Sequence, residues 1–100
     1  MRDYRKKMRR YRIEGQRYDE LRQYCRQGAT EEIKGALKMT GGGCLAHWIE
    51  LHVCHGWKWA RLQANGIPCA EDTFRLYRAM FYWHLDKALR ENGADSDARG

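Results

Sequence analysis

The chain has 100 residues, a net charge of +6, one proline and 12 aromatic residues, four of them Trp. That size makes one domain with a modest core, burying about 60–65% of its unfolded surface, and the aromatics supply much of the area it can bury. No apolar run approaches the roughly 18 residues a membrane span needs, and no apolar signal region follows the basic N-terminus.

A cytoplasmic, reducing location is therefore expected, and the four cysteines read as free thiols rather than as two disulfides. Arg, Leu, Ala, Glu and Gln favour helix over strand. The predicted fold class is all-α, a small multi-helix domain of about four to five helices with a C-terminal helix-turn-helix and a basic N-terminal arm. The predicted organisation is an arm over 1–14, a helical domain over 15–93 with the helix-turn-helix at 57–90, and a flexible tail over 94–100.

Residues 1–12 hold Arg2, Arg5, Lys6, Lys7, Arg9, Arg10 and Arg12 against Asp3 alone, so this arm carries the whole net charge. A basic arm on a near-neutral body suits attachment to phosphate, or serves only solubility. Tyr4, Met8 and Tyr11 recur at four and three, a thin apolar stripe on a cationic helix. The stripe is too thin for membrane insertion, so nucleic acid is the expected partner and no membrane is. Docking of the stripe onto the body is compatible with that role.

Gly15 breaks the pattern, and 16–27 reads as a helix with Tyr18, Leu21, Tyr24 and Cys25 on one face and Gly28 as its stop. Cys25 falls on the apolar stripe, as a buried structural thiol does. Thr30 is placed to cap the next helix, with Glu31 and Glu32 in its first turn, where the helix dipole favours anions. Ile33, Ala36 and Leu37 form that helix's buried face. Gly41-Gly42-Gly43 reads as a joint; no Gly-Lys-Ser/Thr follows it, so it is no phosphate-cradling loop.

The next helix runs over 44–55, with Leu45, Trp48, Ile49 and His52 on one face, Val53 at its edge, and Gly56 as its end. Cys44 and His47 raise the question of zinc. Cys54 lies ten residues from Cys44, about 15 Å along a rigid helix, too far to share a tetrahedral ion. A site would need Cys25, Cys69 or His84 from elsewhere, so no metal and no cofactor is expected. Cys54 and His55 are adjacent and diverge on a helix; with no Ser/His/Asp order or cofactor turn, the chain is expected not to be an enzyme.

Residues 57–64 read as two turns of helix, stopped by left-handed Asn65-Gly66. Pro68 then fixes the start of a long helix with Glu71 and Asp72 in its first turn. Phe74, Tyr77, Phe81, His84, Leu85 and Ala88 form a broad core face, with His84 expected to be a hydrogen-bonded core residue. Asp72, Arg75, Ala79, Asp86 and Arg90 line a polar face. Leu76, Met80 and Trp83 make a second apolar stripe, expected to pack under the N-terminal helices or else to serve an oligomer.

The run Gly56-Trp57-Lys58-Trp59-Ala60, through Gly66-Ile67-Pro68, to Asp72-Thr73-Phe74-Arg75-Leu76-Tyr77-Arg78 resembles the helix-turn-helix of region 4 of bacterial sigma factors. It resembles more particularly the small phage and prophage transcription regulators that borrow that module, the late-operon activators of phages of Gram-positive bacteria. Thr73-Phe74-Arg75 stands where those proteins open their recognition helix, and Arg17-Tyr18-Asp19-Glu20-Leu21-Arg22-Gln23-Tyr24 is similar to their leading helix. The resemblance covers about a third of the chain. The turn is longer than the usual one, and Glu71 and Asp72 lead the second helix, where they suit capping or acceptance from a cytosine amino group.

The resemblance implies a DNA-binding transcription regulator. Thr73 and Arg75 would sit at base edges, and Lys58, Arg61, Arg78 and the arm at phosphates. Duplex DNA is then the expected partner. The alternative is a small mobile-element interaction protein, such as an anti-CRISPR or another host-factor inhibitor, binding a host protein or protein–nucleic-acid complex.

Overall fold

A computed structural model describes residues 9–40 and 43–91, the side chain of Cys44 excepted. Arg2, Arg5, Lys6 and Lys7 of the arm, with Tyr4 and Met8 of its stripe, lie outside the described residues. So do Gly41 and Gly42, the thiol of the Cys44–His47 pair and the tail over 94–100. The domain is all-α. The helices named among the described residues are α1 (Gly15–Arg26), α2 (Glu31–Met39), α3 (Gly43–His55), α4 (Trp59–Ala64) and α5 (Glu71–Glu91).

The long α5 is the axis of the fold. At 21 residues it is about 30 Å long, and it packs on α1, α3 and, most extensively, α2. Contact on several sides explains why its buried set, Phe74, Leu76, Phe81, Tyr82, Leu85 and Leu89, is wider than one stripe. Tyr82 and Leu89 join the core although periodicity left them out, while Tyr77 and Ala88 are only half-buried. The remaining core comes from Leu21 and Cys25 of α1, Ile33, Ala36 and Leu37 of α2, Leu45, Ile49 and Val53 of α3, and Leu62 of α4.

Local chemistry sets the helix ends. Thr30 is extended, and its hydroxyl accepts from the Ile33 amide at 3.3 Å, as its position predicts. The same hydroxyl lies 2.8 Å from the Tyr24 hydroxyl, so the cap also ties α1 to α2. Gly28 follows α1 at φ +126, a conformation that disfavours any Cβ.

Several expected helix ends need correction. Gly15, expected to break the pattern before a helix over 16–27, is itself the first residue of α1: Glu14 is extended and its carbonyl takes the Tyr18 amide at 2.7 Å. The helix expected over 57–64 starts only at Trp59. Gly56 turns left-handed at φ +75, and the Trp57 amide is held by the Leu51 carbonyl at 3.1 Å, so residue 57 cannot join the next helix. Of the Asn65-Gly66 pair only Gly66 is left-handed (φ +89); Asn65 keeps φ −99 and its side-chain amide donates to the Arg61 carbonyl at 2.8 Å. Pro68 stands three residues before α5, whose first turn holds Glu71 and Asp72 as expected, with the Ala70 carbonyl accepting from the Phe74 amide at 3.0 Å.

The turn after α4 is a complete Schellman motif. The Ile67 amide donates to the Leu62 carbonyl at 3.2 Å and the Gly66 amide to the Gln63 carbonyl at 3.1 Å. Ile67 also packs on the apolar cluster that contains Leu62, the hydrophobic contact that commonly accompanies this motif.

The second apolar stripe of α5 has a partner within the chain. Leu76 is buried, and the Trp83 ring meets Tyr11 edge-on at 5.6 Å. Tyr18 of α1 lies 4.9 Å from Tyr82. The residues leading into α1 therefore lie along α5. His84, expected to be a hydrogen-bonded core residue, is instead only half-buried, beside the Trp83 ring at 5.1 Å. It borders a hollow that Gly35, Ala36 and Met39 of α2 also line, so α2 does not close over it.

Candidate nucleic-acid interface

Lys58 ends the extended link between α3 and α4, and Arg75 and Arg78 stand on the first turns of α5. Together with His52, Trp59, Glu71 and Phe74 they line one groove of about 350 Å³. Three of the residues expected to touch DNA thus converge, and the six-residue turn over 65–70 still allows it.

Each cation is held differently. Lys58 is exposed. Arg75 pairs with Glu71 one turn earlier, N to O 3.2 Å, with both side chains about half-exposed. An exposed pair of this kind contributes at most about 0.5 kcal/mol, so Arg75 remains available to a stronger anion. Glu71 is one of the two acids that the sequence marks as helix-capping or base-accepting groups; here it faces a neighbouring arginine.

Arg78 is half-buried and donates from Nη1 to His52 Nε2 at 3.1 Å. The other ring nitrogen of His52, Nδ1, donates to the Trp57 carbonyl at 2.7 Å. With Nδ1 carrying the proton, Nε2 is free to accept, so this pair of bonds defines a neutral ring. Phe74 meets the same ring edge-on at 5.3 Å. Burial lowers the readiness of His52 to protonate, the bond to the Trp57 carbonyl works against that, and the charges of Arg78, Arg26 and Arg22 lower it further.

Arg61 lies outside the groove. Its guanidinium stacks 3.9 Å above the Trp57 ring, a cation–π contact that fixes its plane and leaves it exposed. Thr73 is half-buried beside Phe74. Arg9, Arg10 and Arg12 are exposed; Arg9 and Arg12 border a second hollow, of about 320 Å³, floored by Tyr11, Ile13, Tyr18, Ala79 and Tyr82.

The two hollows adjoin along α5. Ala79 is one turn on from Arg75, and Tyr82 one turn on from Arg78, about 6 Å of axial rise each. Arg9 and Arg12 and the basic groups of the groove therefore follow one side of α5. Sequence reasoning grouped these cations by motif, but it missed His52 and Trp57 as the groups that hold Arg78 and Arg61. The signal for His52 was its place on an apolar stripe one turn before the Gly56 stop.

Among the described residues, no group of three or more His, Cys, Asp or Glu comes together to hold a metal ion, and no helix is long and apolar enough to cross a membrane. Compared with family models, curated proteins and solved structures, the chain gives no match.

Proposed function

We propose that this protein binds duplex DNA and acts as a phage-type transcription regulator, with the basic arm supplying affinity and the start of α5 orienting the complex. The observation that carries the reading is the alignment of Arg9 and Arg12 with Arg78, Arg75 and Lys58 along one side of α5. Glu71 is the acid among the groove's lining residues, so the band stays cationic. Phosphate rows reward such a band through release of condensed counterions. The resemblance of 56–78 to the sigma region 4 helix-turn-helix supports the same reading and makes Arg75 and Thr73 the base-edge candidates, with Lys58, Arg61, Arg78 and the arm on phosphate.

The test is fluorescence anisotropy with an unrelated duplex, single-stranded DNA and RNA at low and moderate salt. Duplex binding that weakens steeply with salt is expected, and Arg75→Ala is expected to reduce sequence preference more than overall affinity. Absent or salt-insensitive duplex binding overturns the reading.

A second reading, a mobile-element interaction protein that inhibits a host factor, is favoured by Met39. That side chain is 66% exposed and borders a hollow lined by Gly35, Trp83 and His84. Recovery of one stable host-protein complex that Met39→Glu abolishes, with no intrinsic DNA affinity, is the outcome that selects it.

A further inference from the structure

We infer that nucleic-acid binding in the α4–α5 groove is coupled to protonation of His52, which turns from an acceptor for Arg78 into a second cation facing the bound phosphate. This inference rests on the duplex-binding reading and adds its regulation. In the free protein the ring spends both nitrogens on internal partners, Nδ1 on the Trp57 carbonyl at 2.7 Å and Nε2 on Arg78 at 3.1 Å. Arg78, one of the groove's lining residues, is thereby engaged by the ring.

The surroundings of His52 are one-sided. Arg22 and Arg26 act on it from α1 and Arg78 from α5. Lys58, from the α3–α4 link, and Arg75, from α5, share its groove, with Glu71 already paired to Arg75. An added proton meets net positive charge and must break the Arg78 bond, because a protonated Nε2 can no longer accept. The empty groove therefore favours the neutral ring.

A phosphodiester oxygen in the groove reverses that balance. It supplies the anion that Lys58, Arg75 and Arg78 all seek, and it gives Nε2–H an acceptor. Arg78 leaves the ring for the phosphate, and the ring takes a proton from solvent. Binding that takes up a proton strengthens as pH falls. The Nδ1 bond to the Trp57 carbonyl persists in both states and keeps the ring in place.

The experiment measures affinity for an unrelated-sequence DNA duplex at fixed ionic strength, from about pH 7.5 down to about pH 5.5, the range in which imidazole titrates. Wild-type protein and His52→Gln are compared, with helicity checked at each pH. Gln keeps an amide oxygen able to accept from Arg78 but cannot titrate. Wild-type affinity is expected to rise by up to about tenfold per pH unit beyond the rise seen in the variant. Equal slopes for the two proteins overturn the proton coupling alone. Absence of duplex binding at every pH overturns the duplex-binding reading together with it. Where His52→Gln fails to fold, NMR titration of His52 in the wild-type protein gives the same decision. An apparent pKa that rises when the duplex is added supports the coupling, and an unchanged one overturns it.

Discussion

Arg17 Nε donates to Asp86 Oδ1 at 2.6 Å, joining α1 to the C-terminal half of α5 across 69 positions of sequence. Both side chains are largely covered, at 16% and 18% exposure. Asp86 also accepts from Arg90 at 3.1 Å, and Arg17 reaches Glu20 at 3.1 Å. Because the pair is shielded from water, its coupling is expected to exceed that of the exposed pairs. A double-mutant cycle with Arg17→Leu and Asp86→Leu, read by urea denaturation, is expected to give a coupling of about 1–3 kcal/mol. The Arg75–Glu71 pair is expected to give about 0.5 kcal/mol or less in the same assay.

Thr30→Ala removes the hydroxyl that accepts from the Ile33 amide and meets Tyr24. The expected loss is about 1–2 kcal/mol, and Thr30→Ser is expected to recover most of it because the oxygen remains. Thermal unfolding followed by circular dichroism separates the two.

Gly66→Ala isolates backbone strain. An added Cβ meets no atom within 4 Å, so the cost comes from φ +89 alone. A loss of about 1–2 kcal/mol is expected. Gly56→Ala adds crowding, since its Cβ would stand 3.2 Å from the Arg26 guanidinium. The ratio of the two losses measures how readily Arg26 swings away.

Stability is expected to fall as the solution is acidified through the imidazole range. His52 resists protonation in the native state chiefly through burial, and His84 does so through burial and the charge of Lys87. The unfolded chain takes up these protons at about pH 6.5 while the native state does not until lower pH. The unfolded state thus binds more protons below that point, and folding weakens as pH drops. Above it the contribution is constant. Urea midpoints across this range are expected to decline for the wild type and to decline less steeply for His52→Gln, in which only the His84 contribution remains.

The cysteines are expected to differ in reactivity. Cys25 is fully buried, and burial first, with the neighbouring Cys54 next, pushes its thiol up to about 12. Cys54 is half-buried and also raised, by burial and then by Glu50. A thiol reagent at neutral pH is expected to label Cys25 only at the rate of unfolding, and slower than Cys54, because the thiolate is the reactive species. Mass spectrometry of timed aliquots ranks the sites.

Much of the local structure was legible from residue type alone. Thr30 before Glu31 and Glu32 marked a cap, Gly28 and Gly66 marked helix stops, and three-and-four spacing placed Leu21, Cys25, Ile33, Leu37 and Ile49 in the core. These are short-range relations, in which each residue's preference and its neighbours on one turn decide the outcome. The same spacing brought Arg75 and Arg78 near one another, so part of the candidate interface was visible as well.

Long-range packing decided the rest. Tyr82 and Leu89 lie off the apolar stripe and are buried because α5 is enclosed by three other helices, which no period of a single helix encodes. Trp57 reads as helical by its neighbours, yet the left-handed Gly56 and the Leu51 carbonyl hold it out of α4. His52 reads as a core residue, and its bonds to the Trp57 carbonyl and Arg78 depend on a turn five residues away and on α5 twenty-six residues away. By itself the sequence determined which segments coil and where the charge lies, because those follow from side-chain chemistry and adjacency. Only the tertiary structure decided which cations share a groove and which nitrogen of His52 stays unprotonated, because those depend on distances between helices that are remote in the chain.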